Sequence, residues 1–161
     1  MRVLKIEEDD IANGPGLRMS IFVAGCDVRC PECFNKESWD FESGENIEDS
    51  RIFDAFEKNP IYSGISILGG DPLAGKNIIE TLRFCKEFKN KFPDKSIWVW
   101  TGHLYENLLE NDIFKENEYI IDFLVDGPFI SKYASEGLMY VGSSNQRILK
   151  YNDLTKTREK V

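Results

Sequence analysis

The chain has 161 residues, 42% hydrophobic and 12% aromatic, a length and composition that suit one domain with a buried core and exclude a disordered chain. Its formal net charge of −8 argues against a nucleic-acid or anionic-membrane partner, since either needs a basic surface. No apolar stretch reaches the ~18 residues of a membrane span, and Glu7, Glu8, Asp9 and Asp10 interrupt the stretch where a signal peptide would be apolar, so the expected location is cytoplasmic.

In chain order, residues 3–7 are predicted as a short edge strand and Asn13-Gly14-Pro15-Gly16 as a turn. Residues 17–24 are mostly apolar and read as the first core strand. A helix follows over about 47–58, with Ile52, Phe53 and Phe56 on one face and Asn59-Pro60 as its stop. Residues 65–68 form a second strand ended by Gly69-Gly70-Asp71-Pro72. The clearest helix spans about 77–92, with Ile78, Leu82, Cys85, Phe88 and Phe92 at helical spacing. A strand at 97–100, a helical stretch at 105–114 and a strand at 119–125 come next, and 146–149 is a candidate last strand. No repeat or linker breaks the chain, so a single domain over 1–161 is expected. Alternating strands and helices predict an α/β fold on a parallel sheet, with the site at the carboxyl ends of the strands. A complete eight-unit barrel needs about 250 residues, so any barrel here is partial and open.

Three of the chain's four cysteines, Cys26, Cys30 and Cys33, fall within the segment Gly25-Cys26-Asp27-Val28-Arg29-Cys30-Pro31-Glu32-Cys33. The spacing is C-x3-C-x2-C on one loop after a strand. In a reducing compartment such clustering points to metal or catalysis over a disulfide. Three thiolates suit an iron–sulfur cluster with one iron left open. Two alternatives stand beside that reading. One is a closed zinc site with Cys85 or His103 as fourth ligand; the other is a redox pair made of Cys30 and Cys33 alone. The second motif, Gly69-Gly70-Asp71-Pro72, lets backbone approach a ligand and sets a carboxylate beside it, though a plain strand-to-helix turn would look the same.

Taken together, the cysteine loop and the Gly-Gly-Asp motif resemble the radical S-adenosylmethionine superfamily. The ordered set Asn13-Gly14-Pro15-Gly16, Cys33-Phe34-Asn35-Lys36 with Trp39, Gly69-Gly70-Asp71-Pro72-Leu73, Trp98-Val99-Trp100-Thr101-Gly102, Leu124-Val125-Asp126-Gly127-Pro128-Phe129 and Gly142-Ser143-Ser144-Asn145-Gln146-Arg147 is similar to the anaerobic ribonucleoside-triphosphate reductase-activating proteins and spans nearly the whole chain. The resemblance implies a partial, open (β/α) barrel of the radical SAM type. It also implies that Cys26, Cys30 and Cys33 bind three irons of a [4Fe–4S] cluster, whose fourth iron is chelated by S-adenosylmethionine. Gly69, Gly70 and Asp71 would meet the methionine amino group, and the backbone of Glu32, Cys33 and Phe34 would lie against adenine. Reductive cleavage then gives a 5′-deoxyadenosyl radical, which takes hydrogen from a glycine of the large anaerobic reductase, with an electron donor such as flavodoxin. Another glycyl-radical enzyme of the formate-lyase type, or a zinc-stabilised module without turnover, are the alternatives.

The chain departs from the family's habits at four positions. Glu32 stands where an aromatic residue often precedes the third cysteine, Phe34 where tyrosine is common, Asp71 where glutamate is usual, and His103 where tyrosine is common. Cys85 and the alternating Trp98 and Trp100 are expected in the core. Lone His103 reads as a loop residue, Arg147 as a partner for an anionic group on cofactor or protein, and the charges from Lys86 to Lys95 as a solvated helix face.

Overall fold

The computed structural model describes residues 1–153 and 155–161. Its strands are β1 (Arg2–Asp10), β2 (Arg18–Val23), β3 (Glu45–Asn46), β4 (Gly64–Gly69), β5 (Ser96–Trp100), β6 (Phe123–Asp126), β7 (Arg147–Asn152) and β8 (Thr157–Lys160); its helices are α1 (Asp49–Glu57), α2 (Ile78–Lys91), α3 (Tyr105–Leu108) and α4 (Asp112–Asn117). All eight strands join one sheet in the order β3-β1-β2-β4-β5-β6-β7-β8. The sheet is open, with β3 at one edge and β8 at the other. Its centre, β2-β4-β5-β6, is parallel, because α1, α2 and the α3–α4 pair each carry the chain back between strands. Antiparallel strands flank that centre on both sides.

Strand alternation gives the sheet two different faces. Met19, Ile21 and Val23 of β2, Ile65 and Ile67 of β4, Ile97 and Val99 of β5 and Leu124 of β6 form the core with Ile52, Phe53 and Phe56 of α1 and Leu82, Cys85 and Phe88 of α2. The phenylalanines interlock: Phe56 meets Phe88 edge to face at 4.9 Å between centroids, and Phe53 stacks on Phe84 at 5.2 Å. Cys85 is wholly buried there, and burial pushes its thiol far up.

The other face begins with a polar plug. Arg18, Gly64 and Ser96 lie abreast at the amino-terminal ends of β2, β4 and β5. The Arg18 guanidinium is fully buried and donates to Ser66 Oγ at 2.7 Å, Ser96 Oγ at 3.0 Å and the carbonyls of Ile65 at 2.6 Å, Ser96 at 3.0 Å and Pro15 at 3.3 Å. Burial lowers its pKa to about 10, with Asp122 and Asp10 pulling the other way. The turn at 13–16 is the cover of this plug: Asn13 donates to Asp10 Oδ2 at 2.6 Å, and Asp10 also accepts from Ser20.

The structure moves several predicted boundaries. The first strand is longer than 3–7 and lies inside the short β3, and the sheet is mixed instead of wholly parallel. The helix expected over 105–114 is two, because Asn111 Oδ1 accepts from Ile113 N at 3.0 Å and Phe114 N at 3.2 Å and so caps a new helix. The strand expected from 119 begins at Phe123, after a turn of 3₁₀ helix at Glu118–Ile120. Asp122 ahead of it accepts from Ile97 N at 2.7 Å and pairs with Lys89 at 2.8 Å. The last strand is a hairpin, β7 and β8. Replacing Arg18 tests the plug. Arg18→Ala strands buried acceptors and opens a cavity, so it should lower urea-unfolding stability by about 3 kcal/mol, and Arg18→Lys should recover only part of that.

Candidate functional site

The site is built where β2 and β4 end. The two strands stay in register to Val23 and Gly69, and their exit loops then remain bonded: Gly70 N donates to Val23 O and Asp71 N to Gly25 O, both at 2.7 Å. The contact needs the absence of side chains. A Cβ on Gly70 would sit 2.4 Å from Gly25 O. Gly25 itself has φ +92°, and a Cβ there would strike the Phe41 ring. Asn77, at the start of α2, binds the junction through one amide, donating to Ala24 O at 2.9 Å, Asp71 O at 2.8 Å and Gly25 O at 3.2 Å. Ser38, in a 3₁₀ turn over Lys36–Trp39, donates to Asn35 O at 2.7 Å and Gly69 O at 3.3 Å. The spacing of glycines and cysteines gave no hint of Ser38 or Asn77. Only their contacts reveal them.

From this junction the cysteine loop opens over a cleft of about 230 Å³ at the carboxyl ends of β2, β4, β5 and β6. Cys26, Cys30 and Cys33 all line it, with Gly69, Gly70, Trp100, Thr101, Gly102 and Gly127. All three thiols are free and half-buried. Burial pushes the Cys26 thiol up, the nearby backbone N–H groups of Arg29 and Val28 oppose that rise, and the Asp71 and Asp27 carboxylates add to it. Cys33 N donates to Cys30 O at 3.0 Å, and Asn35 N to Cys33 Sγ at 3.4 Å. Among the described residues, the group whose three ligand atoms lie within 4.8 Å of one another is Asp27, Asp71 and His103, and no cysteine belongs to it. A single tetrahedral zinc with bonds of 2.3 Å would need its sulfurs about 3.8 Å apart. Three soft donors spread around one cleft fit a cluster better than a single ion. Neither proposed fourth zinc ligand lines the cleft: Cys85 is in the core, and His103 Nε2 sits 2.9 Å from Asp27 Oδ1.

The other predicted residues divide. Gly69 and Gly70 present backbone to the cleft. Asp71 does not reach it: it is 1% exposed, and its carboxylate accepts from Leu73 N at 2.9 Å, Gly102 N at 2.9 Å and Thr101 Oγ1 at 3.0 Å. Burial raises its pKa, and the same donors, with His103, oppose that rise. Glu32 points away and pairs with Ser131. Phe34 is 83% exposed and packs against Phe129 at 4.6 Å between centroids at the cleft mouth. Trp98 is core, stacked on Phe123 at 4.5 Å, but Trp100 lines the cleft and donates Nε1–H to Tyr140 O at 2.8 Å, which corrects its expected place.

Arg147 is committed within the fold. It donates to Asp126, which is fully buried, and reaches both oxygens of Glu106 at 2.9 and 2.8 Å. Asp126 also accepts from Tyr105 N at 2.8 Å, so the clasp joins the end of β6, the start of β7 and α3 just before Gly127 enters the cleft. The Arg147 bonds hold the Glu106 carboxyl down at about 2.

Two outcomes follow from this geometry. Gly70→Ala should force the two loops apart, costing about 2 kcal/mol or more by urea unfolding and reducing the iron bound per chain after anaerobic reconstitution. Because the folded pKa of Glu106 is depressed, the stability it contributes is present above about 4.5 and lost as pH falls towards 2. Glu106→Gln should therefore cost under about 1 kcal/mol at neutral pH, given the exposure of this pair, and its unfolding midpoint should converge with that of the wild type across the acid range.

Comparison with known proteins gives this geometry its context. A family described as a 4Fe-4S single cluster domain matches residues 12–149. An anaerobic ribonucleoside-triphosphate reductase-activating protein of Pasteurella multocida is 36% identical over 155 residues, covering 94% of this chain and 98% of the relative. Proteins of the same name in Escherichia coli K12, 39% identical over 85% of this chain and 90% of the relative, and in phage T4, 32% identical over 89% and 90%, are also similar. The cysteine-lined cleft lies inside the matched region, and the chain belongs to the family of anaerobic ribonucleoside-triphosphate reductase-activating proteins.

Proposed function

We propose that this chain is the radical S-adenosylmethionine activase of a large anaerobic ribonucleoside-triphosphate reductase, installing a glycyl radical on that partner. The observation that carries the reading is the convergence of Cys26, Cys30 and Cys33 with the Gly69–Gly70 backbone on one cleft, in a chain of a 4Fe-4S family. Bound there, a [4Fe–4S] cluster would supply the low-potential electron that cleaves S-adenosylmethionine and so the oxidising power to take hydrogen from glycine. Cys26, Cys30 and Cys33 would hold the cluster through their three thiolates, leaving a site open to S-adenosylmethionine. The Gly69-Gly70-Asp71 backbone would meet the methionine end, with the Asp71 carboxylate ordering that loop from beneath, and the backbone of Glu32, Cys33 and Phe34 would lie against adenine. Leu68, Trp39 and Trp100 supply apolar walls that limit water around the reacting atoms.

In this reading residues 1–161 are one radical SAM domain, and the open sheet is its partial (β/α) barrel. The openness serves the substrate. A glycine carried on a protein loop must enter from outside, past the rim of the cleft where Phe34 packs on Phe129. The electron donor is a small reductant of the flavodoxin kind, and the reaction belongs in the cytoplasm, where reduced thiols persist.

The test is anaerobic. The chain is reconstituted with iron and sulfide, reduced with dithionite and given S-adenosylmethionine, with Cys30→Ala alongside. The expected result is a reduced-cluster paramagnetic signal that changes on adding S-adenosylmethionine, release of 5′-deoxyadenosine, and a glycyl radical when the reductase is present, with cleavage down at least a hundredfold in the variant. Tightly bound zinc, no cluster signal and no cleavage would overturn the reading.

A further inference from the structure

The arc between the first two cysteines, Asp27-Val28-Arg29, has little to hold it from within. It lies outside helix and sheet, and Arg29 has φ +50°, a left-handed conformation that a side chain-bearing residue adopts at a cost. Yet its conformation matters, because it sets where Cys26 and Cys30 stand on the cleft they both line. What restrains the arc comes from two other strand ends. His103, after β5, meets Asp27 Oδ1 through Nε2 at 2.9 Å. Gly75, after β4, donates its N–H to Asp27 Oδ2 at 3.3 Å. Val28 packs on Gly102.

His103 is itself anchored. Its N–H donates to Thr101 Oγ1 at 3.1 Å, Thr101 donates to buried Asp71 at 3.0 Å, and His103 Nε2 stands 3.7 Å from the same Asp71 oxygen. A chain of contacts therefore runs from a carboxylate in the protein interior, through His103, to the residue that follows Cys26. Asp27, Asp71 and His103 are close enough to suggest a cation site, but the Asp71 oxygens already accept from three protein donors. The arrangement is a hydrogen-bonded relay.

We propose that His103 and Asp27 are a paired tether that holds the Cys26–Cys30 arc in its ligating shape. Both are positioning residues: neither lines the cleft. The proposal rests on the cluster reading above. Outer contacts that orient a ligating loop govern how firmly it holds its metal group, and a loosened arc would release it sooner.

The test compares reconstituted wild type with His103→Ala, Asp27→Ala, the double variant and His103→Gln. Two quantities are read: the rate of iron loss to a chelator without oxygen, and the melting temperature of the metal-free chain. Each single alanine variant should lose iron about tenfold faster, with little change in melting. The double variant should be scarcely worse than the worse single, because both remove one interaction. His103→Gln, which can still donate to Asp27, should recover most of the effect. Asp27 is 45% exposed at its side chain, so Asp27→Ala should fold even if a histidine variant does not. A cluster whose loss rate is indifferent to both substitutions overturns the tether alone, as do fully additive effects in the double variant. A wild-type chain that takes up no cluster overturns the tether together with the reading beneath it.

Discussion

The structure depends on one close approach. Two neighbouring parallel strands, β2 and β4, end at the same level, and their exit loops stay hydrogen-bonded past the end of the sheet through Gly70 to Val23 and Asp71 to Gly25. Backbone can come that near only because Gly70 carries no side chain where it meets Gly25. The cysteine loop therefore starts from a rigid point instead of a free strand end. Asn77 and Ser38 tighten the same junction from α2 and from the turn after the third cysteine. A loop that must hold a metal group within tenths of an ångström gains most from being anchored at both ends.

Carboxylates play a consistent part in this anchoring. Asp71 after β4 accepts the N–H of Gly102, Asp126 at the end of β6 that of Tyr105 and Asp122 before β6 that of Ile97, each from another segment, and Asp10 at the end of β1 accepts that of Ala12 in its own turn. Each replaces a ladder bond that the sheet no longer supplies where the chain leaves it. Part of the chain's acidity is thus internal joinery. The net charge of −8 still disfavours polyanions, but its acidic residues are in part structural ties that no surface-based reading of composition would find.

The inner face of the sheet is polar at both ends for different reasons. At one end Arg18 is sealed by five hydrogen bonds from its guanidinium. At the other, about five strand residues or ~17 Å away, the thiols of the cysteine loop face an open cleft. Trp98, Phe123 and Trp100 lie between, with Trp98 closed over by its neighbours and Trp100 reaching the cleft wall. A closed polar floor and an apolar middle leave the carboxyl end as the way in, which agrees with the usual place of function in sheets built from parallel strands.

The sequence by itself determined the local facts. Helical spacing in α1 and α2 located both helices to within a residue or two, because their apolar stripes are long and uninterrupted. The loop Cys26, Cys30 and Cys33 was legible because three thiols on one short segment need no distant partner to suggest a metal group. Tertiary structure decided whatever depends on residues far apart in the chain. Whether the sheet is parallel throughout rests on the pairing of β1, β7 and β8, whose mixed polar and apolar residues carry no sign of direction. A carboxylate beside two glycines looks the same whether it faces a ligand or, as Asp71 does, accepts donors from the loop after β5. His103 and Arg147, isolated in the sequence, acquire roles only from Asp27, Asp126 and Glu106, residues 21 to 76 positions distant. Hydrogen bonds across such separations leave no periodicity in the chain that makes them, so folding alone can reveal them.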